Sequence, residues 1–141
     1  MKILLYPVIS CLITFNQPVT PEVIYDYKDC KKIEFQVNSV LHWQPLIQKY
    51  FREEDVIKVS RIMFCESSGR SKAVGYNTNG TTDVGLMQIN DSTYNWISQK
   101  LGWYGDRKDP DFNLKMSSWL FYKSGEHHWN SSAKCWKDRN D

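Results

Sequence analysis

The chain has 141 residues, with 18 lysines and arginines against 16 aspartates and glutamates, and 41% of its residues are hydrophobic. The mean hydropathy is -0.55. These values fit one globular domain and exclude a disordered chain, a collagen-like chain and a polytopic membrane protein. The formal net charge is only +2, and no block of five like charges occurs. We therefore expect no binding to nucleic acid.

The first 18 residues have the pattern of a secretory signal peptide. Lys2 precedes an apolar run from Ile3 to Phe15 that is too short for a membrane span of about 20 residues. We expect cleavage between Phe15 and Thr20, which leaves a secreted chain with no stable membrane span. An uncleaved anchor and a lipid anchor at Cys11 are the alternatives.

Removal of the signal peptide leaves three cysteines, which are Cys30, Cys65 and Cys135. In an oxidising compartment an odd number implies one disulfide and one free or intermolecular thiol, and the sequence alone allows three pairings. A zinc site at Cys135 with His127 and His128 is the competing hypothesis. No C-x-x-C or H-x-x-x-H spacing supports it, so we expect no metal and no cofactor.

Residues 19–41 are predicted to form an irregular N-terminal extension. Ile33, Phe35 and Val37 alternate with polar residues, a pattern that predicts one short strand. Residues 42–141 are predicted to form one globular domain.

Apolar residues at helical spacing predict two helices at the start of this domain. The first begins near Pro45, because proline suits the first position of a helix. The second runs from about Glu53 to Glu66, and Gly69 ends it. We expect this second helix to form the centre of the core.

Turn and cap residues predict the remaining elements. Asn79-Gly80 lies between two short runs at 74–77 and 81–84, which is typical of a β-hairpin. Two more helices follow, one capped by Asp91 or Ser92 and ended by Gly102, and one capped by Asn113 and ended by Gly125. The tail from Glu126 is expected to be irregular. The fold class is therefore α+β, mainly helical with a small antiparallel sheet.

Two carboxyl groups are candidates for acid–base chemistry. Glu66 follows the apolar turn 62–65 at the end of its helix, so desolvation is expected to raise its pKa. A carboxylic acid that stays protonated near neutral pH can donate a proton to a leaving oxygen. Asp83 follows a polar run, 77–82, that favours an ionised carboxylate. The alternatives are a solvated helix-end glutamate and an ordinary turn aspartate.

The segment around these carboxyl groups resembles the catalytic core of the lysozyme superfamily. Cys-Glu-Ser-Ser-Gly at 65–69, Ala-Val at 73–74 and Gly-Leu-Met-Gln-Ile at 85–89 are similar to soluble lytic transglycosylases and goose-type lysozymes. Thr-Asp-x-Gly-x-x-Gln-Ile-Asn at 82–90 is similar to chicken-type lysozymes. The resemblance covers about Trp43 to Trp136, and it implies a lysozyme-like fold with the sheet beside an active-site cleft.

The resemblance also implies roles for individual residues. Glu66 would be the general acid, Asp83 the second carboxylate, and Gly85 a position of close substrate approach. The residues expected to bind substrate are Gln88, Asn90, Ser67, Tyr94, Trp103 and Tyr104. Tyr94, Trp103 and Tyr104 are included because aromatic faces suit the apolar faces of sugars, and Trp96 and Trp129 were further candidates.

A disulfide is implied in the same way. In several compact transglycosylase-like domains a cysteine beside the catalytic glutamate pairs with one near the chain end, which corresponds to Cys65 and Cys135 here. Cys30 would then be unpaired or joined to another chain.

The function expected from this resemblance is that of a secreted muramidase, a monomer acting on bacterial cell-wall peptidoglycan. It would cut the β-1,4 bond between N-acetylmuramic acid and N-acetylglucosamine. Transglycosylases usually lack a counterpart of Asp83, so hydrolysis is favoured, and a lytic transglycosylase that forms 1,6-anhydromuramic products is the alternative. A non-catalytic glycan-binding protein is a second alternative. Defence, digestion and wall remodelling all remain open as biological purposes.

Overall fold

The computed structural model describes Cys11 and residues 20–138. Its helices are α1 (Pro21–Ser39), α2 (Gln44–Tyr50), α3 (Val56–Ser67), α4 (Asp91–Leu101), α5 (Pro110–Ser124) and α6 (Ala133–Trp136). Short 3-10 segments cover Leu41–Trp43, Glu53–Asp55 and Glu126–Ser132. The strands are β1 (Val74–Tyr76), β2 (Thr82–Val84) and β3 (Ile89–Asn90). This confirms the α+β prediction, and no helix in the described ranges combines the length and apolarity that crossing a membrane requires.

Helix α1 corrects the prediction of an irregular extension with a strand. Gln36 and Val37 lie three and four positions after Ile33 on α1, and all three are at least partly buried, as is Val40 just beyond the helix. Phe35, by contrast, is 64% exposed. The alternation of apolar and polar residues at 33–37 therefore does not mark a strand with one buried face. The Gln36 amide donates to the Cys135 carbonyl at 2.9 Å, and Gln36 Oε1 accepts from Arg61 Nε at 2.8 Å. A buried polar side chain therefore fastens α1 to α3 and the tail.

Helix α3 lies at the centre of the core, as predicted. Val59, Ile62 and Met63 are completely buried on it. They pack in one cluster with residues from α2, α4 and α5, including Ile47, Ile97, Leu114 and Leu120. At about 25 cal/mol per Å² of apolar surface, burial of such side chains is the main favourable contribution to folding. The core thus fixes the end of α3, where Glu66 lies.

The β-hairpin forms at the expected place. β1 and β2 pair antiparallel with Gly75 opposite Asp83, and the Asn77 amide N–H donates to the Thr81 carbonyl at 2.9 Å. Gly80 has φ of +82°, a conformation that glycine adopts without strain. β3 adds a third strand, with Asn90 opposite Asp83. The sequence did not predict β3, because two residues are too few for a periodic pattern.

Both later helices begin earlier than expected, and their caps differ. Asn90, rather than Asp91 or Ser92, caps α4: its side chain accepts a hydrogen bond from the Ser92 backbone N–H at 2.9 Å. Asp109 caps α5 and accepts from the Phe112 N–H, whereas Asn113 is buried inside that helix. Asp109-Pro110 supplies a cap followed by proline at N1, which explains the earlier start.

The tail is more ordered than predicted. Residues 126–132 form a 3-10 segment, α6 follows, and Trp129 and Trp136 are each only 2% exposed. The Trp129 indole N–H donates to the Met87 carbonyl at 2.9 Å. Aromatic burial and this hydrogen bond hold the tail on the core.

Two disulfides lie within the described residues. Cys65 is bonded to Cys135, which confirms the implied pairing. Cys30 is bonded to Cys11, so the expectation that Cys30 is unpaired or joined to another chain is wrong. The error arose because Cys11 was assigned to a removed leader. The proposed leader itself, apart from Cys11, lies outside the described residues.

Candidate active site

Glu66 lies in the last turn of α3 and lines a pocket of about 90 Å³. The helix ends at Ser67, and its C-cap residue Ser68 adopts a left-handed conformation with φ of +53°. Five candidates for catalysis or sugar binding that the sequence predicted line the pocket, which are Glu66, Asp83, Gln88, Asn90 and Trp129. The other lining residues are Ile89, Thr93, Leu120, His128 and Ser131. Residues from α3, the sheet, α4, α5 and the tail therefore meet at one place.

The surroundings of Glu66 favour its protonated form. Burial raises the pKa of the Glu66 carboxyl, the hydrogen bond from the Ser132 hydroxyl to Oε1 opposes this, and the negative charge of Asp83 raises the pKa further. The net direction is upward. The apolar helix end predicted this direction, because desolvation penalises the charged form.

Asp83 is held by two side-chain amides. Asn77 Nδ2 donates to Oδ2 at 2.8 Å, and Asn90 Nδ2 donates to Oδ1 at 2.8 Å. Both carboxylate oxygens thus act as acceptors and have a fixed orientation. The register of the sheet explains this, since Asn90 lies directly opposite Asp83.

Gln88 and Gly85 shape the wall of the pocket. Gln88 has φ of +49°, and its amide donates to the Gly85 carbonyl at 2.9 Å. A Cβ on Gly85 would lie 2.2 Å from the Arg107 carbonyl oxygen and 2.3 Å from Asn113 Nδ2. Gly85 therefore permits close packing of the chain on itself, which corrects the expectation of close substrate approach.

Ser67 is not a pocket residue. It is 2% exposed, and its hydroxyl lies 2.8 Å from the Leu86 carbonyl and 3.2 Å from the Met63 carbonyl. This corrects the sequence expectation, because the side chain joins α3 to the segment after β2 instead of facing the cleft.

The three predicted sugar-binding aromatics lie outside the pocket that holds Glu66. Tyr94 contacts the Arg107 guanidinium, with 5.1 Å from Cζ to the ring centroid, and Trp103 contacts the Lys115 ammonium at 4.2 Å. Tyr104 is 71% exposed. Their contribution to glycan binding stays a prediction that concerns an extended binding surface. Of the other aromatic candidates, Trp129 does line the pocket.

The sequence did not place two residues, Ser132 and His128, beside the catalytic candidates. Ser132 donates a hydrogen bond to Glu66 Oε1 from a position 66 residues further along the chain. His128 lines the pocket, and burial together with His127 lowers the pKa of its imidazole. Only the folding of the tail onto α3 brings them there, and no local sequence pattern carries that information.

In the part of the chain that the structure describes, no group of three or more His, Cys, Asp or Glu residues is placed to hold a metal ion. The pocket itself presents carboxyl, amide, hydroxyl and imidazole groups. A desolvated carboxylic acid near a second carboxyl group can protonate a leaving oxygen while the second group faces developing positive charge.

One of three comparisons with known proteins gives a match. No curated protein and no solved structure matches the chain significantly. The family model described as "Transglycosylase SLT domain" matches residues 43–135, about two-thirds of the chain. The chain therefore belongs to the SLT transglycosylase domain family of the lysozyme-like superfamily, whose members are peptidoglycan-cleaving enzymes.

Proposed function

We propose that the protein is a secreted glycoside hydrolase that cuts the β-1,4 bond between N-acetylmuramic acid and N-acetylglucosamine in peptidoglycan. One observation carries the proposal. Glu66, with its raised pKa, and Asp83, with both oxygens fixed by amides, line the same pocket. This is the pair of unlike carboxyl groups that hydrolysis of an acetal uses.

In this proposal Glu66 is the general acid. Its proton moves to the bridging oxygen as the bond from that oxygen to the muramic C1 breaks, and the bonding electron pair leaves with the oxygen. General acid catalysis of this kind contributes about 10²- to 10⁴-fold to the rate. Water then completes the reaction at C1.

Asp83 is the second carboxylate in the proposal. It either stabilises the oxocarbenium-like centre at C1 by its charge or attacks that centre to form a covalent intermediate. Gln88 and Asn90 line the same pocket with amide groups, which supports a role in binding the sugar. Asn90 also donates a hydrogen bond to Asp83. In this proposal its amide group therefore both binds substrate and orients the second carboxylate.

A lytic transglycosylase is the second candidate function, and the family match is compatible with it as well. In that reaction the 6-hydroxyl of the muramic residue, instead of water, closes on C1 and gives a 1,6-anhydro product. The two reactions differ in their products, because hydrolysis creates one new reducing end for each bond cut and transglycosylation creates none. A reducing-end assay on purified cell walls therefore separates them.

Both candidate functions require an extracytoplasmic location, because peptidoglycan lies outside the cytoplasm. The disulfides Cys65–Cys135 and Cys11–Cys30 support export to an oxidising compartment. We propose that the apolar run from Ile3 to Phe15 directs this export and that the exported protein acts as a monomer.

The proposal is tested by turbidity of a suspension of purified bacterial cell walls. The wild-type protein should lower the turbidity. Glu66→Gln should reduce the rate of this clearing by more than about 100-fold, because the amide has no acidic proton. Glu54→Gln is the matched control, since Glu54 is an exposed glutamate outside the pocket. Equal rates for the Glu66 variant and the wild type would reject Glu66 as the acid.

A further inference from the structure

The hydroxyl of Ser132 lies at a junction of three groups. It donates to Glu66 Oε1, it is 3.1 Å from the Trp129 carbonyl oxygen, and it accepts from Trp136 Nε1 at 3.1 Å. Ser132 is the last residue of the 3-10 segment Glu126–Ser132 and is partly buried. The Cys65–Cys135 disulfide fixes this part of the tail beside α3, because Cys65 directly precedes Glu66.

The Ser132 hydroxyl has only one hydrogen, so the available acceptors determine which hydrogen bond it donates. A serine hydroxyl has one hydrogen to donate and two lone pairs to accept with. The Trp136 indole N–H can only donate, so it occupies a lone pair and leaves the Ser132 hydrogen to an acceptor. The acceptors within reach are Glu66 Oε1 and the Trp129 carbonyl. An ionised Glu66 is the stronger acceptor, because hydrogen bonds to charged groups are the stronger ones.

The same contact also orders the protonated carboxyl group. While Oε1 accepts from Ser132, that oxygen is the carbonyl oxygen of the acid, and the acidic proton belongs on Oε2. A general acid works only when its proton lies within hydrogen-bond reach of the leaving oxygen. A carboxyl group free to rotate would place its proton there only part of the time.

We propose that Ser132 is a positioning residue that holds the Glu66 carboxyl by Oε1 and so keeps Oε2 as the oxygen that delivers the proton to the glycosidic oxygen. The inference rests on the proposed role of Glu66 as general acid. In the proton transfer the Oε2–H bond breaks, a new O–H bond forms on the leaving oxygen, and Glu66 is left as a carboxylate. Ser132 then donates to that carboxylate and stabilises the product state of the transfer.

The groups around Glu66 predict a distinctive pH effect of removing Ser132. The titratable groups that line the pocket with Glu66 are Asp83 on β2 and His128 in the tail. Burial and Asp83 raise the Glu66 pKa, and the Ser132 hydrogen bond lowers it. Loss of the hydroxyl alone should therefore raise the Glu66 pKa and move the alkaline limb of the pH–rate curve to higher pH. Loosening of the tail would admit water, reduce desolvation and move the limb to lower pH.

The experiment measures kcat, KM and the pH–rate curve on soluble glycan strands for four substitutions. Ser132→Ala removes the hydroxyl, and Ser132→Thr retains it. Ser132→Val has the shape of the threonine variant without the hydroxyl. Ser39→Ala is the matched control, since the exposed Ser39 hydroxyl bonds only to the Phe35 carbonyl on α1. Thermal unfolding is recorded for every variant.

We expect Ser132→Ala to lower kcat by about 10- to 100-fold, the effect of losing one hydrogen bond to a charged group. KM should stay within about twofold because Ser132 does not line the pocket. The alkaline limb should move to higher pH, and Ser132→Thr should restore both kcat and the limb. If the alanine variant does not fold, the comparison of Ser132→Thr with Ser132→Val decides, with the threonine variant expected to be the faster.

Three results would overturn the inference: a kcat within about twofold of the wild type for Ser132→Ala, a limb that moves to lower pH, or equal kcat values for the threonine and valine variants. Glu66→Gln in the same assay distinguishes failure of the Ser132 role from failure of the proposed function. If it is inactive while Ser132→Ala is unaffected, the role of Ser132 is wrong and the general acid stands. If Glu66→Gln keeps the wild-type rate, the proposed function itself fails, and the role of Ser132 fails with it.

Discussion

Asn90 and Asp83 lie directly opposite each other on strands β3 and β2, and the Asn90 amide donates to Asp83 Oδ1 at 2.8 Å. The carbonyl oxygen of the same Asn90 side chain accepts from the Ser92 N–H and caps α4. One side chain thus joins the start of a helix to the orientation of the second carboxylate. A short strand that the sequence did not predict makes this arrangement possible.

Two substitutions of Asn90 separate these roles. Asn90→Ser keeps a capping hydroxyl but is too short to reach Asp83, so we expect a lower rate of wall cleavage with little change in stability. Asn90→Ala also loses the cap, which typically costs about 1 kcal/mol. Urea unfolding and cleavage rates of both variants check this, and full activity of Asn90→Ser would show that Asp83 does not depend on Asn90.

Ionisation of Glu66 should destabilise the folded protein at high pH. Its folded-state pKa is raised by burial and by Asp83, whereas an unfolded chain has the ordinary glutamate value. The stabilising contribution is therefore complete below the unfolded pKa and is lost as the pH rises through the raised folded pKa. Glu66→Gln cannot ionise, so its melting temperature should exceed that of the wild type increasingly as the pH rises across this window.

The measurement is thermal unfolding of the wild type, Glu66→Gln and the control Glu54→Gln over this pH range. A difference between Glu66→Gln and the wild type that does not change with pH would contradict the raised pKa. The wild-type cleavage rate should fall over the same window, because the ionised carboxylate has no proton to donate.

The Cys65–Cys135 disulfide should contribute strongly to stability. The two cysteines are 70 residues apart, and closure of a loop of this size stabilises a fold by about 4 kcal/mol in the chain-entropy account. Replacing both cysteines by serine should lower the free energy of unfolding by about that amount and also lower activity, since Ser132 lies on the tail. Urea unfolding checks the first effect, and a loss below about 1 kcal/mol would contradict it.

The Cys11–Cys30 disulfide predicts which peptides stay linked when the exported protein is digested. A proteolytic digest without reductant should contain the Cys11 peptide linked to the Cys30 peptide. Backbone cleavage between Phe15 and Thr20 would leave the leader attached through this bond. Alkylation of Cys30 without prior reduction would show that the bond is absent from the exported protein.

Some parts of the fold and site were predictable because they depend on local chemistry. Asn79-Gly80 fixes the hairpin, Gly102 ends α4 with φ of +69°, and the apolar turn before Glu66 indicates a raised pKa. These features need only neighbouring residues. The motif around Glu66 and Asp83 predicted that these two residues would lie near Gln88 and Asn90, although Ser67 of the same motif lies outside the pocket.

Other parts depend on contacts between distant residues. Helix α1 was missed because its inward face includes Gln36, whose burial depends on Arg61 and the Cys135 carbonyl. Asn113 was interpreted as a cap, but its side chain bonds the Val84 carbonyl and the Met87 N–H, which are distant in sequence. Ser132 was missed for the same reason. Buried polar partners have no periodic pattern that a sequence can display.

Mass spectrometry of the muropeptides released from purified cell walls tests whether Glu66 and Asp83 act together to hydrolyse the glycan. Hydrolysis gives products with reducing muramic ends, one water heavier than the anhydro forms, and we expect a large loss of rate in Asp83→Asn with glycan binding nearly unchanged. Products with 1,6-anhydro ends, formed at a rate that Asp83→Asn changes by less than about threefold, would contradict it and assign the chemistry to Glu66 alone.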